Sequence, residues 1–508
     1  MGFQELHIKI QTAYSTKELR KLISKKLRIQ NFEFEVISKG LDARNKRNIH
    51  WQMRIRVSSP ELSGELDSQK HLDLPYKKRE QKVIVVGSGP AGFFAAFFLQ
   101  QLGYDVLLIE RGTDVDKRTE GIDKFESTGK FDALSNYAFG EGGAGTFSDG
   151  KLTSRSKHIS LEKRFILQSY IEAGAPEEIA YLTHPHLGSD NLKKIVKRLR
   201  EQFIELGGEI LFETLVTDIQ ITNSSVNSVI TDKGQHDCDH LFIAPGHSAY
   251  ETYRMLMRNG VQFRNKNFAI GSRMEHAQQI INYAQWGVGE LKGVKAAEYR
   301  LTSKGDGNQQ IYTFCMCPGG IIVPAAAYAD TNIVNGMSLY MRDAQFANAA
   351  CVAGVHINDL LGREANPLEA LEYLEKLERS FYELNRSYEA AACSIQDFMM
   401  QKFSGKASKH TSYPLGLNPM PLWELLPEQV SAAMRNGLKD FCRKLRGFDQ
   451  GMIMGLESKT SAPIQVLREK DYRSSGFSNL FIVGEGSGYA GGIISSAADG
   501  LKAAQSLL

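Results

Sequence analysis

The first segment of the chain alternates apolar and polar residues like short strands around one helix. Residues 6–11 (LHIKIQ) alternate with a period of two, and FEFEVISKGL and HWQMRIRVS alternate again. Between the first and second of these stretches, residues 15–27 repeat apolar positions at helical spacing. Ser15 is followed by Glu18 in the pattern of a capping box. Strand, helix, strand, strand predicts a small α+β domain of ferredoxin-like type, which we assign to residues 1–75.

From Lys82 onwards the hydrophobic pattern changes to alternating buried strands and helices. QKVIVVG is an apolar strand, PAGFFAAFFLQQLG is apolar at helical length, and YDVLLIERG is a second strand. An amphipathic helix over 191–208 ends at a glycine cap, and strands follow over 209–246. Alternation of this kind is typical of α/β folds. We assign residues 76–250 to the first part of this domain.

Past about residue 251 the pattern becomes strands and then helices. AIGSRMEH, GVKAAEYRLTS, QQIYTFCM and IVNGMSLYM predict a β-sheet, and residues 366–392 predict one long helix. NLFIVGEG then returns to the α/β style, and a helix from near Gly491 ends the chain. The pattern predicts a sheet-and-helix cap domain over 251–450, with residues 451–508 returning to the preceding domain.

Composition places the chain among globular proteins of more than one domain. Its 508 residues exceed one ordinary domain, and 42% hydrophobic with 23% charged residues is the profile of a soluble protein. Six scattered cysteines and no secretory signal favour reduced thiols in a cytoplasm. The apolar stretch 83–103 is interrupted by Gly-Ser-Gly-Pro, so a strand-turn-helix explains it better than a membrane span.

Charge gives a local signal rather than a global one. The net charge is only +3, which argues against a general affinity for nucleic acid or membranes. Residues 1–56 nevertheless hold 13 Lys and Arg against 5 Asp and Glu. Such clustering is typical either of an RNA-binding face or of a solvated basic surface. The solvated surface is favoured, nucleic acid stays open as a partner, and no membrane is expected.

Gly87, Gly89 and Gly92 form the spacing G-x-G-x-x-G between a predicted strand and helix. There the first glycine makes the turn, the second has no Cβ to block a pyrophosphate, and the third lets helix and strand pack closely. The helix N-terminus offers N–H groups and partial positive charge to the phosphates. Glu110, at the end of the next strand, is placed to accept hydrogen bonds from a ribose. The motif predicts a dinucleotide site without separating FAD from NAD.

The C-terminal segment NLFIVGEGSGYAGGI favours FAD. It puts Gly484 and Glu485 at the end of a short apolar strand, and it resembles the second FAD fingerprint of the glutathione-reductase-like flavoproteins. The resemblance implies that Glu485 binds the ribityl chain or the pyrophosphate. It also implies that Gly491, Gly492 and Ile493 face the pyrimidine edge of the flavin, where a helix N-terminus would stabilise the negative charge of reduced flavin.

The same resemblance implies further cofactor contacts. LFIAPGH matches the strand-to-turn segment near adenine or pyrophosphate, and ETLVTDI matches the place of a backbone contact to adenine. The contacts added to the glycine motifs are Pro90, Ala91, Arg111, Val216, Ala244 and Gly246. The implied fold class is α/β: a glutathione-reductase-like, FAD-binding Rossmann domain with an inserted β-sheet-plus-helix cap domain and the small N-terminal α+β domain.

A glycine-rich loop, GEGGAGTFSDG at 140–150, is a further candidate. Its glycines let the backbone approach a ring or a phosphate closely, and in related flavoproteins the corresponding loop lies along the ribityl chain and ring. The candidate cofactor contacts are Gly142, Gly143, Gly145 and Thr146. The candidate hydrogen-bond partners of flavin or substrate are Ser148, Asp149 and Lys151. A mobile surface loop is the alternative.

Together these motifs resemble one family of bacterial proteins. GSGPAGFFAA, FGEGGAGTFSDGKL, HPHLGSDNL, TFCMCPGG, LESKTSAP and GEGSGYAGGI are similar to the FAD-dependent dehydrogenases called NAD(FAD)-utilizing, over nearly the whole chain. The resemblance implies FAD and an oxidoreductase but names no substrate. Lys459 stands where the family pattern S-R-T-S has an arginine, so a point charge replaces a bidentate anion clamp.

TFCMCPGG contains either a redox pair, a metal clip or a tight turn. Cys315 and Cys317 do not supply the four ligands of structural zinc, and no metal site is expected. Strand alternation puts both thiols on one face and Met316 on the other, before Pro-Gly-Gly turns the chain. Thiols that line the active site and inert buried thiols both stay open. No basic partner is visible in the local sequence.

The predicted function is an FAD-dependent oxidoreductase, a dehydrogenase or reductase of unknown small-molecule substrate. NAD(P)H is open as a transient reductant, because no second dinucleotide fingerprint is visible. A flavin-dependent RNA-modifying enzyme, a non-catalytic flavin redox sensor and a flavin monooxygenase are the alternatives. The candidate catalytic residues are Cys315, Cys317 and Lys459, with Ser461 as a further substrate contact. Better explained as structural loop histidines are His184, His186 and His247.

Overall fold

The N-terminal unit has the predicted order of strand, helix, strand and strand. The computed structural model of the chain describes residues 1–65, 71–305, 309–405 and 410–508. The elements of this unit are β1 (Gly2–Gln11), α1 (Thr16–Leu27), β2 (Glu33–Asp42) and β3 (His50–Ser59). β3 lies between β1 and β2 and is antiparallel to both. Ser15 and Glu18 form the predicted capping box at the start of α1.

This unit contains the first four of the six elements of a ferredoxin-like fold. The second helix and fourth strand of the complete fold are not found among the described residues before 82. Some of its basic side chains pair with local acids, since Arg54 and Arg56 lie 3.7 and 3.1 Å from Glu5. Nucleic-acid binding by this unit stays a prediction.

A five-stranded parallel sheet follows. In spatial order its strands are β21 (Leu480–Ile482), β10 (His240–Ile243), β4 (Lys82–Val86), β5 (Asp105–Ile109) and β6 (Glu209–Leu211). All four pairings are parallel. The last strand of the chain therefore lies beside β10, and only β10 separates it from β4. The sheet therefore brings the two glycine-rich motifs, which begin at Gly87 and Gly484, to the same edge.

Helices and a small antiparallel sheet surround the parallel sheet. α2 (Pro90–Gln101) and α12 (Ile493–Gln505) cross closely, because a Cβ on Gly500 would lie 2.0 Å from the carbonyl oxygen of Ala91. The remaining helices are α3 (Val115–Thr128), α4 (Ser160–Glu172), α5 (Gly188–Glu205) and α6 (Tyr250–Arg258). The small sheet consists of β7 (Val216–Thr222), β8 (Ser225–Thr231) and β9 (Gly234–Asp237).

The apolar stretch at 83–103 is a strand, a turn and a helix, as predicted. Nine consecutive residues of α2, from Ala91 to Leu99, are buried, which explains why this helix is apolar on all sides. Within the described ranges of the chain, the length and apolarity needed to cross a membrane are met by no helix.

An eight-stranded sheet forms the second large layer. Seven strands lie in the order β13 (Thr302–Ser303), β14 (Ile311–Pro324), β16 (Phe346–Val355), β12 (Phe268–Ala277), β19 (Met452–Glu457), β17 (Ala390–Ser394) and β18 (Leu417–Pro419). The eighth, β15 (Val334–Ser338), pairs with β14. A separate antiparallel pair consists of β11 (Phe263–Asn265) and β20 (Ile464–Val466). The accompanying helices are α7 (Gln278–Trp286), α8 (Ile357–Leu361), α9 (Pro367–Glu383), α10 (Ile395–Met400) and α11 (Glu428–Lys444).

Two predictions for this region are wrong. The predicted strand GVKAAEYRLTS is reduced to the two residues of β13. The predicted helix over 366–392 ends at Glu383, and the alanines from Ala390 belong to strand β17. β17 is hydrogen-bonded to β19 on one side and to β18 on the other. Tertiary pairing therefore outweighs the helix preference of alanine.

Candidate cofactor site

One large cavity lies where the carboxyl ends of β4, β10 and β21 face β14 and β15. Together with the open solvent at its mouth, its empty space is about 1530 Å³. The predicted residues that line it are Gly87, Gly89, Pro90, Ala91, Glu110, Arg111, Gly143, Gly145, Val216, Ala244, Gly246, Cys315, Lys459, Glu485, Gly492 and Ile493. Ser148, Asp149, Lys151 and His247 line it too. The predicted residues that do not are Gly92, Gly142, Thr146, Cys317, Gly484 and Gly491.

Two of these exceptions line a smaller neighbouring cavity. Gly142 and Thr146 line this cavity, which lies between α2 and α5. A Cβ on Gly142 would lie 2.1 Å from the Thr146 hydroxyl oxygen, so packing within the loop explains this glycine. The two cavities share Pro90, Gly145 and Ile493. The glycine-rich loop therefore separates them.

Two helices begin at the large cavity without a side-chain cap. α2 begins after Gly89 and α12 begins after Gly492, and neither N-cap residue provides a side-chain hydrogen bond. The first-turn N–H groups of a helix have no partner within the helix, and the helix dipole adds partial positive charge there. Because both helix ends lie on one cavity, they can serve two parts of one extended, electron-rich ligand.

Glycine is required by the fold at some motif positions and not at others. A Cβ on Gly87 would lie 2.3 Å from the Ala244 carbonyl oxygen, and one on Gly92 would lie 1.9 Å from the Gly87 carbonyl oxygen. At Gly89, in contrast, φ is −66° and an added Cβ would meet only the Gly143 Cα, at 3.7 Å. Protein packing therefore does not explain Gly89, whereas an approaching ligand does.

Glu110 joins the two glycine-rich segments. One carboxylate oxygen accepts hydrogen bonds from the backbone N–H and the hydroxyl of Ser88, at 2.9 and 2.8 Å. The other accepts from the N–H groups of Gly112 and Gly140, at 2.8 and 3.1 Å. A carboxylate has about four acceptor positions. The predicted ribose contact would therefore require one of these bonds to be exchanged, and Glu110 also has a structural role that the sequence did not show.

Arg111 lies next to Glu110 on the cavity wall. Its guanidinium donates to the Glu251 carboxylate and lies 3.8 Å from the centroid of the Phe139 ring. A guanidinium stacked on an aromatic ring and paired with a carboxylate is held in place from two sides. Arg111 therefore presents a fixed positive charge to the cavity.

The glycine-rich loop is anchored by Arg118, a residue that the sequence analysis missed. Arg118 is fully buried, and its guanidinium donates to five carbonyl oxygens. The acceptors are Asn136 and Tyr137 at 2.8 and 3.0 Å, and Gly140, Glu141 and Gly143 at 3.3, 2.8 and 2.8 Å. These bonds oppose the alternative of a mobile surface loop. A lone arginine within helix α3 gives no sequence signal for such a role.

The predicted alternation of Cys315 and Cys317 is wrong, because β14 is irregular there. Its register against β16 shifts between Phe314 and Cys317, and Cys315 has a φ of +42°. Cys315 consequently lines the cavity, while Cys317 is fully buried. The predicted turn at Pro-Gly-Gly is wrong too, since β14 continues to Pro324 after a second register shift.

Two cations from distant parts of the chain hold this irregular segment. Arg273 donates to the Cys315 carbonyl oxygen at 3.2 Å, and Lys151 donates to the Met316 carbonyl oxygen. A hydrogen bond with Cys317 and the charges of Lys151 and Arg273 lower the pKa of the Cys315 thiol to about 6, in spite of its burial. The sequence could not show these basic partners, because they reach the thiol only in the fold.

Glu485 is a partly buried carboxyl group on the wall of the same cavity. Burial raises its pKa to about 7, against the Lys266 ammonium and a hydrogen bond with the Gly492 backbone. A carboxyl group that titrates near neutrality can either accept or donate a hydrogen bond. The neighbouring Gly484 is explained by packing, because a Cβ there would lie 2.5 Å from the Cβ of Ala91.

Lys459 lines the cavity, but its ammonium group is engaged elsewhere. It lies 2.8 Å from the Glu378 carboxylate and donates to the Tyr250 hydroxyl at 2.6 Å. Tyr250 and Ser458 donate to the same carboxylate oxygen of Glu378, at 3.0 and 2.6 Å. The predicted substrate contact would compete with this buried network. Ser461, predicted beside it, does not line the cavity.

The three loop histidines differ in position. His184 is 72% exposed, whereas His186 is buried and hydrogen-bonded to the Tyr340 carbonyl oxygen at 3.1 Å. His247 lines the cavity, 2.9 Å from the Ser248 hydroxyl. Burial, with the charge of Lys459, lowers the pKa of His247 to about 3. The His247 imidazole is therefore neutral at neutral pH and is not a ready proton donor.

Comparison with known proteins identifies the family. Residues 80–241 match the family "FAD binding domain", and residues 267–460 match "FAD-dependent protein, C-terminal domain-like". An "Uncharacterized protein" of Clostridium beijerinckii (strain ATCC 51743 / NCIMB 8052) is 37% identical over 512 residues, which covers 96% of this chain and 95% of that protein. The chain belongs to this family of FAD-dependent proteins. It is thus a flavoprotein, and the narrower resemblance to NAD(FAD)-utilizing dehydrogenases stays a prediction.

Solved structures give only distant similarities. L-proline dehydrogenase from P. horikoshii is 12% identical, over 85% of this chain and 94% of that one, with a TM-score of 0.36. Glycine oxidase from Bacillus cereus ATCC 14579 is 12% identical, over 84% of this chain and 94% of that one, with a TM-score of 0.33. TM-scores this low support no conclusion about this flavoprotein.

Proposed function

We propose that this flavoprotein is an FAD-dependent oxidoreductase, a dehydrogenase or reductase that acts on a small molecule. The observation that carries the proposal is the shared cavity of two uncapped helix ends, one after Gly89 and one after Gly492. They belong to the two segments in which the sequence resembles the two FAD fingerprints. In this proposal the end after Gly89 would face the pyrophosphate, and the end after Gly492 would face the electron-rich pyrimidine edge of the flavin.

The residues present fit FAD. An added Cβ at Gly89 would meet no protein atom closer than 3.7 Å, and this free space suits a pyrophosphate at the start of α2. Val216 and Glu485 both line the cavity, and in this proposal Val216 would contact the adenine and Glu485 the ribityl hydroxyls. The N-terminus of α12 suits the electron-rich pyrimidine edge. When bound, FAD supplies two-electron transfer.

The protein's own groups would position substrate and control protons. Phe314, Cys315 and Asn335 belong to the eight-stranded sheet and line the same cavity, so we assign the substrate to that side. Glu485 would hold or release a proton at its carboxyl oxygen, because its pKa is raised to about 7. The Arg118 bonds to the glycine-rich loop keep the wall of the cavity in one conformation, which limits the reorganisation that catalysis would otherwise require.

The electron donor is part of the proposal. The G-x-G-x-x-G motif that begins at Gly87 stands directly between strand β4 and helix α2, and we assign it to FAD. NADH or NADPH would then bind transiently at the substrate side of the cavity, or the substrate itself would supply the electrons. These two routes predict different behaviour towards nicotinamide dinucleotides.

The test uses the purified full-length protein. The expected visible spectrum is that of an oxidised flavin, and the released cofactor should be FAD at about one per chain. Anaerobic addition of NADH or NADPH in separate cuvettes then shows whether either reduces the flavin. Bleaching by one of them supports the NAD(P)H-linked route, and bleaching by neither favours a substrate donor. A colourless protein that does not bind added FAD would refute the proposal.

A further inference from the structure

Cys315 occupies a strained position on the cavity wall. Its φ of +42° is one that residues with a side chain rarely adopt. The irregular segment is held from both sides, because the Cys315 carbonyl oxygen accepts from Arg273 and the Met316 carbonyl oxygen accepts from Lys151. Strain that surrounding groups enforce is commonly found at functional residues. Here Cys315 lines the cavity and Cys317 does not.

The charges around Cys315 favour its thiolate. Cys317 and the cations Lys151 and Arg273 act in that direction, and the pKa of Cys315 is lowered to about 6. The acids Asp149, Glu457 and Glu485 also face the thiol and oppose the effect without overcoming it. The net balance leaves a nucleophilic sulfur at neutral pH.

The other cysteines are internal controls. Burial raises the pKa of Cys238 and of Cys393 to about 12, and the pKa of Cys351 is raised as well. Cys442 matches Cys315 in being partly accessible, but burial raises its pKa to about 11. A difference in reactivity between Cys315 and Cys442 would therefore reflect the charges near each thiol rather than the solvent accessibility of the thiols.

A second thiol lies next to Cys315. Cys317 is fully buried, and its Sγ donates to the Cys315 carbonyl oxygen at 3.3 Å. The burial of Cys317 prevents direct attack by a reagent from the cavity. It can nevertheless react with an oxidised Cys315, because it lies two residues away and its Sγ already reaches the Cys315 backbone. A disulfide in so small a ring is strained and easily reduced, which suits a reversible reaction.

We propose that Cys315 is a redox site that a hydroperoxide oxidises and that Cys317 resolves. The Cys315 thiolate attacks one oxygen of hydrogen peroxide, the S–O bond forms, the O–O bond breaks, and hydroxide leaves and takes up a proton. Cys317 then attacks the sulfenic sulfur. The S–S bond forms, the S–O bond breaks, and water leaves with the Cys317 proton. Two thiols lose two electrons, and one peroxide becomes two waters.

The first measurement is the rate of alkylation by iodoacetamide between pH 4.5 and 9, followed for each cysteine by mass spectrometry of the full-length protein. Cys315 should react at least about tenfold faster than Cys442 at pH 7. The alkylation rate of Cys315, plotted against pH, should have its midpoint near pH 6. In Lys151→Met the midpoint should move to higher pH, because one stabilising charge is lost. Equal rates for Cys315 and Cys442 would overturn the proposal.

The second measurement is oxidation, in two arms that separate the sources of peroxide. One arm adds hydrogen peroxide to the anaerobic protein. The other arm reduces the protein with dithionite and then readmits air. Catalase in the solution destroys free peroxide, so that only peroxide formed in the cavity reaches the thiol. Wild type should give a Cys315–Cys317 disulfide, and Cys317→Ser should give a dimedone adduct on Cys315. Oxidation in either arm supports the site, and oxidation in neither overturns it.

The outcome does not depend on the proposed function. A protein without FAD that still forms the disulfide with added peroxide would refute the flavin assignment and keep the redox site. A yellow protein that NADH or NADPH reduces, but whose Cys315 stays unoxidised in both arms, would keep the flavin assignment and refute the redox site. If Cys317→Ser does not fold, the wild-type disulfide alone decides the question.

Discussion

Gly89 and Glu485 line the same cavity, although Gly89 belongs to the first glycine-rich motif of the chain and Glu485 to the last. They meet because β21 pairs with β10, which in turn pairs with β4. The two motifs then follow nearby parallel strands and open at the same edge of the sheet. This is the arrangement in which α/β folds bind dinucleotides, at the carboxyl ends of their strands.

The first prediction concerns Gly89→Ala. The backbone at Gly89 suits alanine, and the added Cβ would meet only Gly143, so the fold should tolerate the change. The same Cβ would intrude on a pyrophosphate, and FAD affinity should fall by about tenfold or more. FAD titration by fluorescence measures the affinity. Urea unfolding of the FAD-free protein should change by less than about 1 kcal/mol, the usual cost of alanine at an N-cap.

Gly354→Ala is the matched control for this prediction. A Cβ at Gly354 would also meet a single atom at 3.7 Å, the carbonyl oxygen of Gln310, but this glycine lies in β16 and outside the cavity. The control should keep the FAD affinity of the wild type. Equal affinities for both variants would place the pyrophosphate elsewhere.

The sequence predicted those parts of the fold in which local pattern and packing agree. The capping box at Ser15 and the strand, turn and helix around Gly89 are local features, and both were found. Strand β17 was predicted as helix, because its alanines favour a helix until β18 and β19 pair with them. Strand β16, which lies between β14 and β12 and is rich in small residues, carried too weak a β-sheet signal to be predicted.

At the candidate site, the sequence predicted most of the lining residues but not the cations that surround Cys315. Gly89 and Glu485 stand in motifs that can be read from the sequence. Arg273 and Lys151 reach Cys315 through long-range contacts, which no local pattern contains. The same holds for the register shift at Cys315, since it depends on the pairing of β14 with β16. The predicted cofactor wall therefore needed only sequence, whereas the chemistry of the thiol needed the fold.

The second prediction concerns Arg118→Lys. An ammonium group has three donor positions and cannot reach all five carbonyl oxygens that the guanidinium binds. The loop over 140–147 should loosen, and its amide hydrogens should exchange about tenfold faster or more. FAD affinity should fall in parallel. Hydrogen exchange by mass spectrometry checks the loop. The control is Arg200→Lys, since Arg200 contacts the Glu141 carboxylate at 3.3 Å and the Phe212 ring rather than the loop carbonyl oxygens.

The third prediction concerns Glu485→Gln and pH. The pKa of Glu485 in the folded protein is raised to about 7, so the folded state binds this proton more tightly than the unfolded state does. The FAD-free wild type should therefore lose stability as pH rises from about 4.5 through 7. The variant lacks this loss and should be more stable than wild type at pH 8, by up to about 3 kcal/mol. Urea unfolding at pH 4.5 and pH 8 measures the difference.

Glu18 provides a control of opposite sign for this experiment. Hydrogen bonds with Ser15 lower the pKa of Glu18, so Glu18→Gln should not stabilise the protein at pH 8. If Glu485→Gln gives the same change in unfolding free energy at both pH values, Glu485 is not a buried, titrating carboxyl group.

The last prediction separates a structural from a substrate-binding role for Lys459. The Lys459 ammonium and the Glu378 carboxylate form a buried ion pair, with side chains 6% and 1% exposed. Lys459→Met should leave Glu378 charged and unpaired and should cost about 3–5 kcal/mol of unfolding free energy. The double variant Lys459→Met/Glu378→Leu should recover most of this loss, because neither charge then remains buried. A substrate anchor would behave differently: Lys459→Met would raise KM while urea unfolding stayed unchanged, and the second substitution would restore nothing.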